Sequence, residues 1–166
     1  MGKHMRKVLP GLILSAGLLA SAQHKAISTS DAPKAIGPYS QAIQAGGLVF
    51  LSGQIAIDPK TQQFDADASI EDQTRQTLEN LKAVLKANGM TMANVVSASV
   101  FMKDLNEFAN MNTVYANYFR EAPPTRTTIQ VAALPRNAKI EISLIAIPLP
   151  PKRAHHEELQ PPLPSR

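Results

Sequence analysis

The sequence predicts an α+β fold of two layers, a mixed β-sheet carrying two helices on one face. Three observations predict it. Five short segments alternate or run together in apolar residues and two others repeat them every three or four positions, giving the order β-β-α-β-α-β-β. That order has too few strands and too few glycine loops for a doubly wound nucleotide-binding sheet. The last segment is apolar on both faces and needs cover on both sides, yet two helices packed over one face leave the other bare. The bare face needs a partner subunit.

The chain has 166 residues, 44% of them hydrophobic, which is length enough for one domain with a real core. Its net charge of +4 sits at the ends. Residues 1–22 contribute Lys3, Arg6 and Lys7, and residues 151–166 contribute Lys152, Arg153 and Arg166 against Glu157 and Glu158. Residues 23–150 hold eleven Lys/Arg and eleven Asp/Glu. A neutral domain without a basic stripe is a poor phosphate binder, so no nucleic-acid partner is expected. Cysteine is absent, which excludes thiolate chemistry, cysteine metal sites and disulfides. The four histidines, His4, His24, His155 and His156, fall outside the body of the domain. No metal centre and no Ser-His-Asp arrangement is expected in the core; acid/base work there falls to a carboxylate, tyrosine, lysine or water.

In chain order, residues 1–22 read as an export signal: a basic start, an apolar run Val8–Leu19, and Ala20-Ser21-Ala22 as a small-residue cleavage site. The run is too short and too rich in Pro and Gly to span a bilayer. A periplasmic or secreted location with no stable membrane association follows as an expectation, with Met1 and Met5 both open as starts. Gly37-Pro38 then turns into a strand through Ile43, and Gly46-Gly47 makes a hairpin with Leu48–Gln54. Ser69 to Asn88 is a helix whose stripe is Ile70, Thr74, Leu78, Leu81 and Leu85, started by Asp67 or Ser69 and ended by Asn88-Gly89. Val95–Met102 alternates as a strand. Asp104 and Glu107 resemble a capping box opening a second helix, with Phe108, Met111, Tyr115, Tyr118 and Phe119 as its apolar face. Two strands close the domain, Thr127–Ala132 and Lys139–Ile147. After Pro148 the composition turns Pro-rich, and residues 149–166 read as a disordered tail.

Chemistry concentrates in Pro123 to Ile147, which carries one arginine at the mouth of a β-run and one glutamate inside the next. An arginine fork offers a carboxylate two parallel charge-assisted hydrogen bonds, and a lone glutamate on an apolar strand suits acid/base work. On residues alone Arg126 and Glu141 serve equally as ion-pair residues, Asn112 as a backbone partner, and Ser52-Gly53 as a strand end in close backbone approach. If the last two strands pair as a hairpin about Arg136-Asn137, Arg126 lies opposite Ile147 and about 20 Å from Glu141. One small substrate cannot bridge that distance within a chain, so a shared site must join two subunits.

Gly37-Pro38-Tyr39-Ser40-Gln41, Ser52-Gly53-Gln54, Gln73-Thr74 through Asn80-Leu81, Phe101-Met102-Lys103-Asp104, Asn112, Pro124-Thr125-Arg126, Val131 to Pro135, and Ile140-Glu141-Ile142 occur together in order. On these motifs the chain resembles the RidA/YjgF family of reactive-intermediate deaminases over residues 28–148. The resemblance implies a chorismate-mutase-like fold and a homotrimer with ligand pockets between subunits. It also implies cofactor-independent hydrolysis of enamines and imines of the 2-aminoacrylate, 2-iminopropanoate and 2-iminobutanoate type to 2-oxo acids and ammonia. By resemblance Arg126 binds the substrate carboxylate, Glu141 handles the attacking water, and Tyr39, Ser52, Gly53 and Asn112 line the pocket. Thr128 stands where many members have cysteine; its backbone can still contact ligand, but thiol-based regulation has no group to act through. Rival readings are a non-catalytic binder of small carboxylates and, as for some relatives, a ribonuclease or holdase.

Overall fold

The computed structural model describes residues 24–121 and 123–148; the expected export signal and Pro-rich tail lie outside the described residues. Six strands and two helices follow one another as β1 (Lys25–Ile27), β2 (Ala42–Ala45), β3 (Leu48–Gln54), α1 (Ile70–Ala87), β4 (Val95–Met102), α2 (Phe108–Tyr115), β5 (Thr125–Gln130) and β6 (Ile140–Ala146). They form one mixed sheet in the order β1-β2-β3-β6-β4-β5. Both helices lie on one face.

Local chemistry explains most boundaries. Gly46 and Gly47 take φ of 57° and 78°, which lets a two-residue turn follow the twist of β2 and β3. The Ser69 side chain accepts from Asp72 N at the start of α1, and Gly89, at φ 70°, ends it. Ile70, Leu78, Leu81, Val84 and Leu85 are buried against Val100, Met102, Ile140, Ile142 and Leu144 of the sheet. Burying each such side chain is worth roughly 1.5–3 kcal/mol, so this interface dominates the fold's stability.

Four expectations are corrected, three of them local. An additional strand, β1, pairs with β2 at the edge; its three residues are too few to show a period. The second helix begins later than expected: Asp104 accepts from Asn106 N and opens a short 3-10 turn, Leu105–Glu107, ahead of α2. Phe108 is 37% exposed, outside the core that Met111, Tyr115 and Phe119 join.

The largest correction concerns the last two strands, which make no hairpin. β5 pairs with β4 in parallel, and β6 inserts between β3 and β4, antiparallel to both. Alternate burial sorts them. β6 buries Ile140, Ile142, Leu144 and Ala146 and suits the centre, whereas Thr-rich β5 is mostly exposed and suits the edge. The return loop is tied across the end of β4, Val131 N donating to Met102 O at 2.9 Å and Lys103 N to Lys139 O at 2.9 Å.

Register fixes which residues share a face. Arg126 stands opposite Ala98, and Ala98 opposite Leu144, on the helix-covered side. Glu141 stands opposite Phe101 on the other side. That second face presents Phe50 at 43% and Ile129 at 44% exposure, a large apolar surface for a single subunit.

Candidate functional site

Glu141 opens into a cleft of about 330 Å³. A register shift between Leu51 and Gln54 bulges β3 beside it, and Gly53 allows the carboxylate to sit against the backbone. A Cβ at Gly53 would fall 2.0 Å from Glu141 Oε1 and 2.8 Å from its Cδ. Ser52 Oγ donates to Ser40 O at 2.7 Å, and Tyr39 Oη accepts from Ile36 N at 3.2 Å, so both side chains hold the loop at the cleft mouth. Lys34, Ile36 and Pro135 complete the rim.

Buried amides brace this cleft from behind. Gln41 Nε2 donates to Thr29 O at 3.1 Å and Pro33 O at 2.7 Å, while its Oε1 accepts from Thr29 N at 2.7 Å. Asn80 Nδ2 donates to Ile55 O and Ile57 O at 3.1 and 2.9 Å. Gln73 Oε1 accepts from Lys139 N at 2.9 Å, two residues before Glu141. Motif positions that resemble a reactive signature are therefore scaffolding. Glu141 itself has no ion-pair partner among the described residues. Partial burial pushes its carboxyl above the ordinary value, because desolvation disfavours the charged form.

Arg126 sits elsewhere. Its Nη1 donates to Asn112 Oδ1 at 2.8 Å, and its Cζ lies 4.6 Å from the Tyr115 ring centroid and 5.5 Å from that of Phe108. One cleft beside it, about 470 Å³, is lined by Leu105, Phe108 and Thr128; another, about 450 Å³, includes Asn112 and Tyr115. Arg126 lines both clefts, and the Nη1 bond to Asn112 is its one side-chain hydrogen bond among the described residues. No carboxylate lies within ion-pair distance of Arg126 among the described residues. The Thr128 hydroxyl is buried without a hydrogen-bond partner among the described residues.

The structure thus gathers Tyr39, Ser52 and Gly53 around Glu141, and Asn112 and Thr128 around Arg126, and does not bring the two groups together. Arg126 and Glu141 lie two strands and three residues apart, about 14 Å between backbones by strand geometry, with side chains on opposite faces. The hairpin premise fails and so does its distance of about 20 Å; the two residues are nearer than expected and are parted by the sheet itself. Sequence reasoning missed the aromatic contacts to Arg126. Phe108, Asn112 and Tyr115 are spaced four and three apart, a helical stripe visible in the sequence, in which Phe108 and Tyr115 read as core and Asn112 alone as a pocket residue. Among the described residues no cluster of metal-ligating side chains occurs, and no helix is long and apolar enough to cross a membrane.

A six-stranded mixed sheet under two helices, with Arg126 on one face and Glu141 on the other and neither ion-paired among the described residues, defines an α+β domain. Over residues 29–148 the chain matches the family model described as Endoribonuclease L-PSP. It is 52% identical over 120 residues to a RutC family protein of Pyrococcus horikoshii, covering 72% of this chain and 94% of that one. It is 46% identical over 126 residues to the 2-iminobutanoate/2-iminopropanoate deaminase of Salmonella typhimurium, covering 74% and 97%. The crystal structure of E. coli TdcF with bound serine superposes with a TM-score of 0.71 at 44% identity, covering 75% of this chain and 98% of that one. The chain belongs to the Endoribonuclease L-PSP family, the RidA/YjgF proteins.

Proposed function

We propose that this protein is a hydrolytic deaminase of reactive 2-imino and 2-enamino acids, working as a homotrimer. In each site Arg126 of one subunit faces the Glu141 cleft of the next. The observation that carries the reading is the placement of two unpaired, oppositely charged residues on opposite faces of one sheet. Neither has a neutralising partner among the described residues of its own chain, and the apolar face around Glu141 needs cover. Association of copies supplies both needs. Names of relatives support the chemistry, as does the shape of the substrate: a planar carboxylate beside an electrophilic imine carbon.

The steps balance without a cofactor. An enamine first gains a proton at its β carbon and becomes the imine. Arg126 holds the carboxylate through two N–H donors. Glu141, ionised, takes a proton from water as the oxygen bonds to the carbon of the protonated imine, and gives it to nitrogen as the C–N bond breaks; the carboxylate then takes the remaining hydroxyl proton as C=O forms and passes it to the departing ammonia. The products are a 2-oxo acid and ammonium. Ribonuclease chemistry fits poorly, since residues 23–150 are charge-balanced and carry only His24, at their start.

The test is ammonia and 2-oxo-acid release from 2-aminoacrylate generated in situ. Acceleration is expected; none by a folded trimer would move the assignment to a carboxylate-binding protein. A pH profile sharpens it. Since only ionised Glu141 serves as base and burial raises its pKa, kcat/KM is expected to fall with acidification through a limb lying above 4.5. Glu141→Gln should erase that limb, and a limb that persists would assign it elsewhere. Export belongs to the same proposal on the leader's residues alone: the mature chain is expected to begin at Gln23 by intact mass, and an uncleaved chain in the cytoplasmic fraction would remove it.

A further inference from the structure

We propose that Phe108, Asn112 and Tyr115 form a cradle that holds the Arg126 guanidinium aimed and un-neutralised, with Tyr115 as a positioning residue for carboxylate capture. This rests on the carboxylate reading of Arg126 given above. The three residues occupy positions i, i+4 and i+7 of α2, one stripe of the helix, and all three reach the same guanidinium.

The choice of residue types follows from the electrostatics. A long, flexible arginine on an edge strand ordinarily finds a carboxylate, and such a partner would cancel the charge that an incoming substrate needs. Aromatic faces attract the cation through their quadrupole and add no net negative charge. Asn112 fixes the rotation by accepting one N–H and is neutral too. The fork therefore stays charged, oriented and available on its remaining edge.

The ring of Tyr115 is the useful part, and its hydroxyl is not. That hydroxyl is buried and has no hydrogen-bond partner among the described residues, whereas a phenol retained for its O–H is normally paired when buried. Burial pushes the group up to about 12, so it presents a neutral aromatic face at any working pH.

The experiment titrates 2-oxobutanoate, which carries the carboxylate and cannot be deaminated, into wild type, Tyr115→Leu, Tyr115→Phe and Phe108→Leu, with imine-hydrolysis kinetics in parallel. Tyr115→Leu is expected to raise Kd and KM about tenfold with kcat little changed, because the lost contact acts equally before and in the transition state. Tyr115→Phe, which keeps the ring, is expected to restore wild-type affinity with a Tm equal to or above wild type, since it deletes an unpaired buried hydroxyl. Phe108→Leu, at the longer distance and partly exposed, is expected to weaken binding about threefold. Wild-type affinity in folded Tyr115→Leu and Phe108→Leu overturns the cradle, as does failure of Tyr115→Phe to restore binding. Should Tyr115→Leu not fold, Phe108→Leu decides alone. Wild type that binds 2-oxobutanoate without accelerating imine hydrolysis removes the deaminase reading and leaves the cradle to the affinities; wild type that does not bind it overturns the cradle.

Discussion

Glu141→Gln is expected to lower kcat by about 10²- to 10⁴-fold, the usual loss when a positioned acid/base group is removed. Glutamine keeps the volume and hydrogen-bonding reach of the side chain beside Gly53 but accepts no proton. Trimer formation and fold should therefore survive, and the loss should appear in kcat. Arg126→Ala is expected to act differently, lowering kcat/KM by about 10²- to 10³-fold, mostly through KM, because two charge-assisted hydrogen bonds to the carboxylate are lost. The contrast between the two variants is itself the check. Equal small losses in both would mean that neither residue meets the substrate.

Gly53→Ala is expected to reproduce the Glu141 defect without touching Glu141. The added methyl would lie 2.0 Å from Oε1, 2.8 Å from Cδ and 3.1 Å from Cγ, far inside contact distance. Of the groups that must give way, the carboxylate is the mobile one, since it ends a flexible side chain while Gly53 is held in β3. The carboxylate swings out of the cleft, and kcat falls by about 10²-fold or more. Little stability is lost, because φ at Gly53 is not in the left-handed region and no core atom is displaced. Near-wild-type Tm with kcat lost is the expected pair of results. Wild-type kcat in Gly53→Ala would show that the seat of the carboxylate against β3 is irrelevant to turnover.

Much of the fold was legible in the sequence because local signals agreed. The Gly46-Gly47 turn, the cap at Ser69, the stop at Asn88-Gly89 and the alternation in Val95–Met102 each carry their own physics, and each marks a boundary within a residue or two. Strand neighbours carry no such local mark. The two closing strands are consecutive, and consecutive strands usually pair, but the return loop crosses β4 and delivers β6 to the centre. The needed clue was burial: a strand apolar on both faces belongs inside a sheet, and Thr-rich Thr125–Gln130 belongs at its edge.

The candidate site was legible as a set of residues but not as two half-sites. Charge and isolation singled out Arg126 and Glu141, since an arginine at the mouth of a β-run and a lone glutamate within an apolar strand are conspicuous. Their division between opposite faces depends on register through β4, which no short-range pattern reports. The cradle stayed hidden for another reason. Phe108 and Tyr115 at helical spacing are indistinguishable from a core stripe until the strand beneath them is known to present an arginine.

One measurement tests the shared site most directly. Arg126→Ala and Glu141→Gln chains, each nearly inactive alone, are coexpressed in equal amounts so that mixed trimers form, and imine hydrolysis per site is measured. If each site takes Arg126 from one subunit and Glu141 from the next, about one site in four regains both residues, and activity should recover to roughly a quarter of wild type. Mixed trimers that remain as inactive as either parent would contradict a site shared between subunits.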